Sequence, residues 1–576
     1  MNDIRRTILW VIFGFSVVML WDQWQIYNGH KATFFSSATQ TAGAPASVPA
    51  PAAAVGAASS QAAGSAVPAA TAALSPDAAG VAPAAAIERV VVTTDLFKAE
   101  INSQGATLDR LELLKYEDKS DPSNHVVLFD NSTAASRYVA QTGLLNQVDT
   151  GDKFPNHLTP MTPKAGPREL ADGQATLEIA FESQPVGGLK YVKTYVLRRG
   201  DYSIGVRHEI VNVSAQPIDA QLYLQLVRHG TVAAGSMLGT STFTGPAAYT
   251  NEKKFNKMDF KDITKGKVEP PPPATDGWIA MVQHYFASAW LLRGEGSDSL
   301  KREFRVRDLG NNLYSVTMVA TLPKLAPGAT QVVNSTLFAG PEEEKKLEAI
   351  APGLDLVKDY GWLTILAKPL YWLLGKLHGF IQNWGWSIVA LVLLLKIAFY
   401  WLNAKAYASM AKMKAVNPKV TEMRERLKDK PQEMQQAMMK IYREEKVNPM
   451  GGCFPIMIQI PVFIALYWVL LSSVEMRNAP WILWIKDLSS PDPYFILPAV
   501  MTLTTMLQTA LNPTPPDPMQ AKLMWFMPLI FSVMFFFFPA GLVLYWITNN
   551  ILSIAQQWVI NTRMGVPPQF NLPKFR

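Results

Sequence analysis

Cysteine, charge and catalytic motifs are all scarce in this sequence of 576 residues. Its single cysteine, Cys453, excludes an intrachain disulfide. Charged residues make up 17% of the chain and apolar residues 49%, a balance that favours a membrane protein with a soluble part. A Walker A loop, a Rossmann glycine fingerprint, a G-x-S-x-G elbow and an H-E-x-x-H zinc motif are missing from the sequence. We therefore predict that the protein is not an enzyme and needs no metal or organic cofactor.

The first 28 residues predict a membrane anchor. Arg5 and Arg6 precede an apolar run over Ile8–Trp21, and interfacial aromatic residues follow that run. A cleaved signal peptide is the alternative, but no A-x-A cleavage site follows the run. Residues 29–87 are dominated by Ala and Pro. Because they have too little bulky apolar surface to offset chain entropy, we predict a disordered tether.

Residues 88–345 show the period-two alternation of β-strands. Examples are Ala175–Glu182, Tyr191–Leu197 and Ala220–Val227. They predict one large antiparallel sandwich, which the anchor's orientation places outside the membrane. Among the histidines of this segment are His208, His229 and His284. None has metal-ligand spacing, so a binding or scaffolding role is predicted.

The rest of the chain predicts a helical membrane domain. Residues 361–382 have the pattern of an amphipathic helix in the membrane interface, and residues 384–563 predict five membrane-spanning helices. With the anchor this makes six spans, which returns residues 564–576 to the cytoplasm beside the N-terminus. The later apolar stretches are Cys453–Val474, Tyr494–Leu511 and Leu523–Ile560. The Pro and Gly of Phe538–Gly541 predict a tight turn that divides the last stretch into two helices.

A single charge lies inside the first apolar stretch of this domain. Trp386–Leu402 is long enough to cross a bilayer as one helix, and its charge is Lys396. The long side chain could snorkel to the nearer surface, but intramembrane charges usually face a bundle interior or a wet cavity. Tyr400 and Asn403, at i+4 and i+7, should share its face. We therefore predict a hydrated, positively charged hollow.

Residues 403–450 predict a cytoplasmic helical hairpin. The stretch 404–447 carries eleven cations and six acids, which the positive-inside rule places in the cytoplasm. Pro418 and Pro431 should divide it into helices, and several methionines add soft apolar surface. The candidate contact residues are Met410, Met413, Arg424 and Arg426. Ribosomal RNA, lipid headgroups and nascent apolar segments all fit such a surface.

Polar side chains recur at helical spacing within the later stretches. In the last helix they fall on one face and are Tyr545, Thr548, Asn549 and Gln556. Gln459 lies in the second core helix, and Thr502, Thr505 and Thr509 share a face of the third. Interhelical hydrogen bonding explains the threonines. The other residues, taken with Lys396, predict a common polar groove.

Several segments carry a resemblance to a known family. They are Met410–Met413, Lys446–Pro461, Ala479–Leu488, Phe538–Trp546 and, in the β segment, Gly277–Trp290. With them the chain resembles the YidC family of bacterial membrane protein insertases, in its long form with a periplasmic domain. The resemblance implies a polytopic α-helical membrane protein with a large extracytoplasmic all-β supersandwich domain, similar to mutarotases but without that activity. It also implies a hydrophilic groove that is open to cytoplasm and lipid and closed to the periplasm.

The resemblance further implies insertion and folding of proteins in the bacterial inner membrane, alone or with the Sec translocon. The implied partners are nascent inner-membrane proteins, the Sec translocon, the ribosome and the lipid bilayer, with no small-molecule substrate. The family's groove cation is an arginine, whereas this chain has Lys396. A desolvated lysine can lose its proton, so the role carries over only if the groove is wet. The family's groove glutamine matches Gln459, and its groove aromatic residue aligns with Tyr545–Trp546.

Two other function classes fit parts of the sequence. A proton- or ion-coupled transporter would use Lys396 as its titrating group, but it predicts intramembrane acids or an inverted repeat, which the core stretches lack. A periplasmic carbohydrate-processing enzyme, held by its helices, would leave five further spans without a role. We therefore predict an insertase. Its predicted groove residues are Lys396, Gln459, Tyr545, Trp546 and Asn549.

Overall fold

The structure of the chain is a computed structural model. It describes residues 87–118, 121, 123–146, 153–231, 242–294, 296–427, 430–445, 454–512, 518–563, 565 and 570. The predicted anchor, almost all of the predicted tether, Cys453 and most of the C-terminal tail lie outside the described residues. Described residues up to Lys358 form one compact unit, here called the β unit, and those from Asp359 onward form a second, the helical unit.

The β unit consists of seventeen described strands and two short helices. The strands are β1 Arg89–Thr93, β2 Phe97–Asn102, β3 Thr107–Glu117, β4 His125–Phe129, β5 Tyr138–Asn146, β6 Met161–Pro163, β7 Thr176–Ser183, β8 Leu189–Arg198, β9 Ser203–Asn212, β10 Ala220–His229, β11 Gly245–Thr250, β12 Lys254–Lys257, β13 Trp278–Gln283, β14 Phe286–Leu292, β15 Arg302–Asp308, β16 Leu313–Thr321 and β17 Thr330–Pro341. The helices are α1 Phe260–Thr264 and α2 Glu344–Ile350. Three of these strands coincide with the stretches quoted from the sequence, namely β7, β8 and β10.

The strands form two antiparallel sheets, as the alternating pattern predicts. One sheet has the order β1-β2-β3-β5-β10-β16-β15, with β4 paired to β3, and the other has the order β12-β11-β13-β14-β17-β9-β8-β7-β6. Burial alternates along β7 and β9, since successive side chains point to opposite faces. The sheets meet where the indole Nε1 of Trp290, on β14, donates to the carbonyl oxygen of Gln225, on β10, at 3.2 Å. The predicted β-sandwich is therefore confirmed.

The helical unit contains eight described α-helices. They are α3 Thr364–Ile381, α4 Trp384–Ala398, α5 Tyr400–Arg426, α6 Pro431–Glu444, α7 Phe454–Ser472, α8 Ile496–Leu511, α9 Pro518–Phe535 and α10 Ala540–Arg563. The predicted turn at Phe538–Gly541 separates α9 from α10. There the backbone N–H of Gly541 donates to the carbonyl oxygen of Leu488 at 3.0 Å.

A bend at Phe399 replaces the single straight helix predicted over Trp386–Leu402. The axes of α4 and of the first part of α5 meet at 68°. Phe399 adopts φ −93° and ψ 12°, outside the α-helical region, so the helix is interrupted at that residue. The expectation of one unbroken span was wrong. Among the described residues no single helix is both long and apolar enough to cross a membrane, although α4 and residues 400–410 reach that length and composition together.

The hairpin of α5 and α6 differs from its prediction at one proline. α6 begins at Pro431, as expected, but α5 continues through Pro418. A proline inside a helix costs about 3 kcal/mol. Val416 and Val420, on either side of it, pack in an apolar cluster with α6, which offsets that cost. The proline therefore does not end the helix.

α10 lies at the centre of the helical unit. It packs against α4, α5, α7 and α8, and fourteen of its residues are buried. Seven of those fourteen residues have polar side chains: Tyr545, Thr548, Asn549, Asn550, Ser553, Gln557 and Asn561. A central helix with this composition must satisfy its polar groups inside the bundle. Several of these groups form hydrogen bonds toward α4 on one side and toward α8 on another.

Candidate substrate groove in the helical unit

Lys396 lies in the last turn of α4 and reaches α10. Its ammonium Nζ donates a hydrogen bond to the hydroxyl of Ser553 at 2.7 Å. The same hydroxyl donates to the carbonyl oxygen of Asn549, one turn earlier, at 2.7 Å. An ammonium group has three N–H donors, so one bond to a neutral hydroxyl leaves donors for other ligands.

A cavity opens beside this ammonium group. It offers about 40 Å³ of water-accessible volume, and one water molecule needs about 10–15 Å³ measured in this way. The lining residues are Val392, Leu395, Lys396, Phe399, Asn403, Gln459, Val462, Tyr545 and Asn549. None of these nine described residues is acidic. The cavity therefore has room and polar partners for a few water molecules, and the positive charge has no carboxylate in the lining.

Polar contacts across the helices surround the cavity. The side-chain Nδ2 of Asn403, on α5, donates to the Oε1 of Gln556, on α10, at 3.4 Å. Gln459, on α7, is a hydrogen-bond partner of the Tyr545 hydroxyl on α10. Four helices thus contribute polar groups to one place, as the sequence predicts.

The structure brings together most of the predicted groove residues. Lys396, Gln459, Tyr545 and Asn549 line the cavity. Trp546 does not line it, because its ring packs edge-on against Phe463 at 4.8 Å between ring centroids. Successive residues on an α-helix point about 100° apart, so Trp546 lies to one side of the cavity that Tyr545 lines.

The bend at Phe399 also moves one expected neighbour of Lys396. Asn403 lines the cavity, but Tyr400 is exposed and lies outside the lining. The i+4 and i+7 spacing holds only for a continuous helix. Because the helix is interrupted between Lys396 and Tyr400, the two side chains no longer share a face.

Two contacts of this site were missed in the sequence. Ser553 falls at i+4 from Asn549 and at i+8 from Tyr545, on the face already identified, so its spacing was a usable signal. Tyr407, on α5, is a further hydrogen-bond partner of the Ser553 side chain. Its position depends on the bend at Phe399, which no local pattern indicated.

The hairpin candidates lie in different environments. Met413 packs into the apolar cluster around Val416 and Val420, so this side chain is used inside the hairpin. Arg426 is exposed, and Met410 and Arg424 are half-buried. Lys419 on α5 pairs with Glu445 just after α6 at 2.5 Å, which ties the two helices together.

Three histidines of the β unit pair with neighbouring side chains. The imidazole Nδ1 of His208 lies 2.6 Å from the Tyr191 hydroxyl, and its Nε2 lies 2.8 Å from the Ser335 hydroxyl. Burial lowers the pKa of His208 well below its usual value. His229 and His284 pair with threonine hydroxyls. These contacts account for His208, His229 and His284 without a metal.

A lysine is fully buried in the same interior. The Lys193 Nζ donates to the carbonyl oxygen of Gly105 at 2.6 Å, and burial lowers the pKa of Lys193 to about 7. Among the described residues, one group of possible metal ligands has its oxygen atoms within 4.8 Å of one another. It consists of three carboxylates, Glu344 and Glu348 on α2 and Asp355 after it. It contains no histidine or cysteine.

Comparison with known proteins covers both units. Residues 89–373 match the family described as YidC periplasmic domain, and residues 376–566 match the family described as 60Kd inner membrane protein. The chain is 54% identical over 571 residues to the membrane protein insertase YidC of Cupriavidus necator, and the match covers 98% of each chain.

Solved structures resemble the chain at lower identity. An active YidC insertase, with its first transmembrane domain resolved, is 19% identical with a TM-score of 0.38 over 81% of this chain and 91% of that chain. A galactose mutarotase-like protein from Lactobacillus casei is 12% identical with a TM-score of 0.28, over 44% of this chain and 100% of that chain. The close sequence relatives are named for a non-enzymatic function, so the prediction that the protein is not an enzyme is confirmed. With both family matches and a relative of such high identity over its whole length, the chain belongs to the YidC family of membrane protein insertases.

Proposed function

We propose that this protein inserts and folds proteins in the bacterial inner membrane through the cavity beside Lys396. The proposal rests on a lysine ammonium group beside a cavity with room for a few water molecules. The hydrogen-bond partner of this ammonium group is a neutral hydroxyl. Around it, helices of high apolar content form the rest of the unit. A polar hollow in such surroundings suits a polar chain segment in transit.

Water in the cavity lowers the cost of bringing polar groups into the membrane. Unsatisfied backbone groups in dry hydrocarbon cost several kcal/mol each. Asn403, Gln459 and Asn549 offer amide donors and acceptors to such groups. A short polar tail of a substrate therefore finds hydrogen-bond partners part of the way across.

The ammonium group of Lys396 selects acidic tails. Two unit charges about 4 Å apart attract by about 4 kcal/mol at an effective dielectric constant of about 20. Since the lining contains no described carboxylate, a substrate Asp or Glu supplies the missing countercharge. The attraction is temporary, because a tail that stayed bound would block the next substrate.

Transfer of the substrate's apolar segment into lipid drives the process. Each Å² of apolar surface removed from water contributes about 25 cal/mol, so a membrane-spanning segment needs no nucleotide hydrolysis. The helical unit offers large exposed apolar side chains along which such a segment can move. Examples on α8 and α9 are Val500, Leu503, Leu507, Ile530 and Val533.

The proposed topology follows the sequence. Six spans, with both termini in the cytoplasm, place the β unit in the periplasm and the α5–α6 hairpin in the cytoplasm. The proposed partners are nascent inner-membrane proteins and lipid, with the Sec translocon and the ribosome as cooperating machines. The exposed guanidinium of Arg426 gives the hairpin a group that binds phosphates of RNA or lipid.

The groove is tested by replacing its cation. Lys396→Ala, Lys396→Arg and, as a matched control, Lys405→Ala are assayed for insertion of a small single-spanning substrate with an acidic tail. Lys405 is an exposed cation on the next helix, 3.7 Å from the centroid of the Trp401 ring. The same substrate with its tail acids amidated separates charge from shape.

We expect Lys396→Ala to reduce insertion of the acidic substrate by roughly tenfold or more, because up to about 4 kcal/mol of attraction is lost. Lys396→Arg and Lys405→Ala should keep most of the activity, and the amidated substrate should respond little to any variant. Equal insertion of the acidic substrate by Lys396→Ala and by the unaltered chain would refute the electrostatic step.

An ion-coupled transporter is the competing function. Coupling through Lys396 would need an acidic partner, and no described residue of the cavity lining supplies a carboxylate. Proteoliposomes with an imposed proton gradient distinguish the two. A proton flux abolished by Lys396→Ala would favour the transporter.

A further inference from the structure

The loop between α7 and α8 is a folded element, here called the 473–495 loop. Its inner side is buried, with Met476, Ala479, Ile485 and Leu488 in the apolar core of the helical unit. Backbone N–H groups at the start of α10 donate to the carbonyl oxygens of Ser490 and Leu488. The loop is thus fixed to the end of the bundle formed by the starts of α4 and α10.

Two carboxylates hold the shape of this loop. Asp487 accepts hydrogen bonds from the backbone of Asn478 and Ser489 and from the Ser490 hydroxyl, at 3.1, 2.8 and 2.6 Å. Asp492 is buried and accepts from the Trp484 indole, at 3.0 Å, and from the backbone of Leu497, at 2.7 Å. The two carboxylates therefore hold the tip of the loop, residues 482–484, in one conformation.

The tip places an apolar side chain where a small residue would suit the backbone. The N–H of Ile485 donates to the carbonyl oxygen of Ile482 at 3.1 Å, which closes a tight turn. Leu483, inside that turn, has φ 52°, a left-handed conformation that costs a residue with a Cβ about 1–2 kcal/mol. Glycine or asparagine would occupy it more easily. Yet Leu483 is 80% exposed, so the side chain gains no packing inside the chain.

Aromatic residues surround the tip at the same end of the helices. Trp386, at the start of α4, contacts the ring of Trp481 at 5.6 Å between centroids. Tyr494, before α8, is 67% exposed and lies 6.4 Å from the ring of Trp484. Phe495, beside it, is a second exposed apolar residue with positive φ, 57°. Trp and Tyr concentrate at the membrane–water interface.

The aromatic tip continues into an exposed apolar stripe. Ile496, Val500, Leu503 and Leu507 lie at i, i+4, i+7 and i+11 of α8, and each is exposed. This spacing puts them on one face of the helix. In a member of an inner-membrane protein family such a face meets lipid, and the tip lies at its end. An exposed apolar surface of this kind marks an interaction site.

We propose that Ile482 and Leu483, which are exposed at the tip of the loop, insert into the lipid surface and anchor the 473–495 loop in the leaflet that it faces. The strained leucine is retained because lipid, rather than protein, buries it. Anchoring fixes the loop against the starts of α4 and α10, the two helices that carry Lys396 and Tyr545. The inference rests on membrane location and not on the insertion mechanism, so it stands or falls separately from the role of Lys396.

Depth-dependent quenching tests the insertion. In the full-length protein carrying Cys453→Ser, Leu483→Cys is labelled with the fluorophore NBD and reconstituted in phosphatidylethanolamine–phosphatidylglycerol vesicles. Leu503→Cys, on the lipid-facing stripe, is the positive control. Val213→Cys, in the β unit and 51% exposed, is the control for water. Nitroxides attached to shallow or deep lipid positions and aqueous iodide serve as quenchers.

We expect the label at position 483 to show blue-shifted emission, quenching by the shallow lipid nitroxide and protection from iodide, all relative to position 213. Iodide quenching equal to that at position 213, without lipid quenching, would overturn the proposal. Protection from iodide without lipid quenching would also overturn it, because a protein would then cover the tip. Adding Leu483→Asn, which suits the left-handed backbone, should reduce lipid quenching of a label at Ile482→Cys while the chain still folds.

Discussion

The ammonium group of Lys396 and the hydroxyl of Ser553 meet at 2.7 Å, across the contact between α4 and α10. A neutral partner orients the cation without neutralising it. An acid at the same place would form an ion pair that a substrate carboxylate would have to break. The Ser553 contact therefore keeps the cavity positive and holds its charge in one place.

Removal of the Ser553 hydroxyl should weaken insertion less than removal of the charge. Ser553→Ala deletes one hydrogen bond to a charged group, which is worth about 1.5–3 kcal/mol when no water replaces it. Water in the cavity can replace it in part, so we expect a loss of several-fold for acidic-tailed substrates and less for neutral ones. Insertion into vesicles, measured for both substrates, gives the comparison.

Ser532→Ala is the matched control for that variant. Both serines are buried, and both donate to the carbonyl oxygen four residues earlier. Only Ser553 contacts Lys396. If the two alanine variants reduced insertion equally, the effect would belong to helix packing and Ser553 would have no role in placing the cation.

Gly385, at the start of α4, leaves room for the Trp481 ring of the 473–495 loop. A Cβ added to Gly385 would lie 2.2 Å from the Trp481 ring, so Gly385→Ala should displace that indole and lower the melting temperature of the helical unit. Gly375→Ala, in α3, is the control, because nothing lies within 4 Å of its Cβ position and alanine favours a helix by about 1 kcal/mol over glycine. Thermal unfolding in detergent, followed by tryptophan fluorescence, should show opposite or clearly different shifts. Equal shifts would mean that the Trp481 contact contributes nothing.

The sequence predicted what depends on local periodicity. Alternation located β7, β8 and β10, and the Pro and Gly of Phe538–Gly541 marked the break before α10. Helical spacing placed Tyr545 and Asn549 on one face. In each case the physical cause lies within a few residues, so a single sequence contains it.

The errors concern features that depend on the rest of the fold. No glycine or proline marks the bend at Phe399, and packing around Val416 and Val420 overrides the break expected at Pro418. Trp546 is a different case. It lies one helical step, about 100°, from Tyr545, so it falls beside the cavity, and its role as a groove contact stays a prediction.

The buried amine of Lys193 should make the stability of the β unit depend on pH. Burial lowers the pKa of Lys193 to about 7, whereas in an unfolded chain it titrates near 10.5. Between these values the unfolded state binds more protons than the folded state, so stability rises with pH, by up to about 1.4 kcal/mol per pH unit. Below pH 7 this dependence disappears, because both states carry the charge.

Lys193→Met should abolish that rise while Lys190→Met keeps it. Lys190 lies on the same strand and pairs with Glu182 at the surface. Calorimetry of the full-length protein in detergent, between pH 7 and 10, follows the transition of the β unit. A slope unchanged by Lys193→Met would show that another group titrates in this window.

Two adjacent asparagines on α10 should have separable functions. Asn549 lines the cavity beside Lys396, whereas the side-chain Nδ2 of Asn550 donates to the hydroxyls of Thr505 and Thr504 on α8, at 2.8 and 3.2 Å. Asn550→Ala should lower the free energy of unfolding by about 0.6–1.7 kcal/mol, between the average and the maximum measured for interhelical hydrogen bonds in a membrane protein. Asn549→Ala should lower insertion instead, with a smaller effect on stability.

A double-mutant cycle makes the distinction quantitative. Asn550→Ala combined with Thr505→Val should cost less than the sum of the two single changes, because both remove the same hydrogen bond. Asn549→Ala combined with Thr505→Val should be additive, since these side chains face different helices. Thermal unfolding and insertion are measured on the same preparations. Coupling of Thr505 to Asn549 rather than to Asn550 would mean that α10 is rotated about its axis, and the groove would then be lined by other residues.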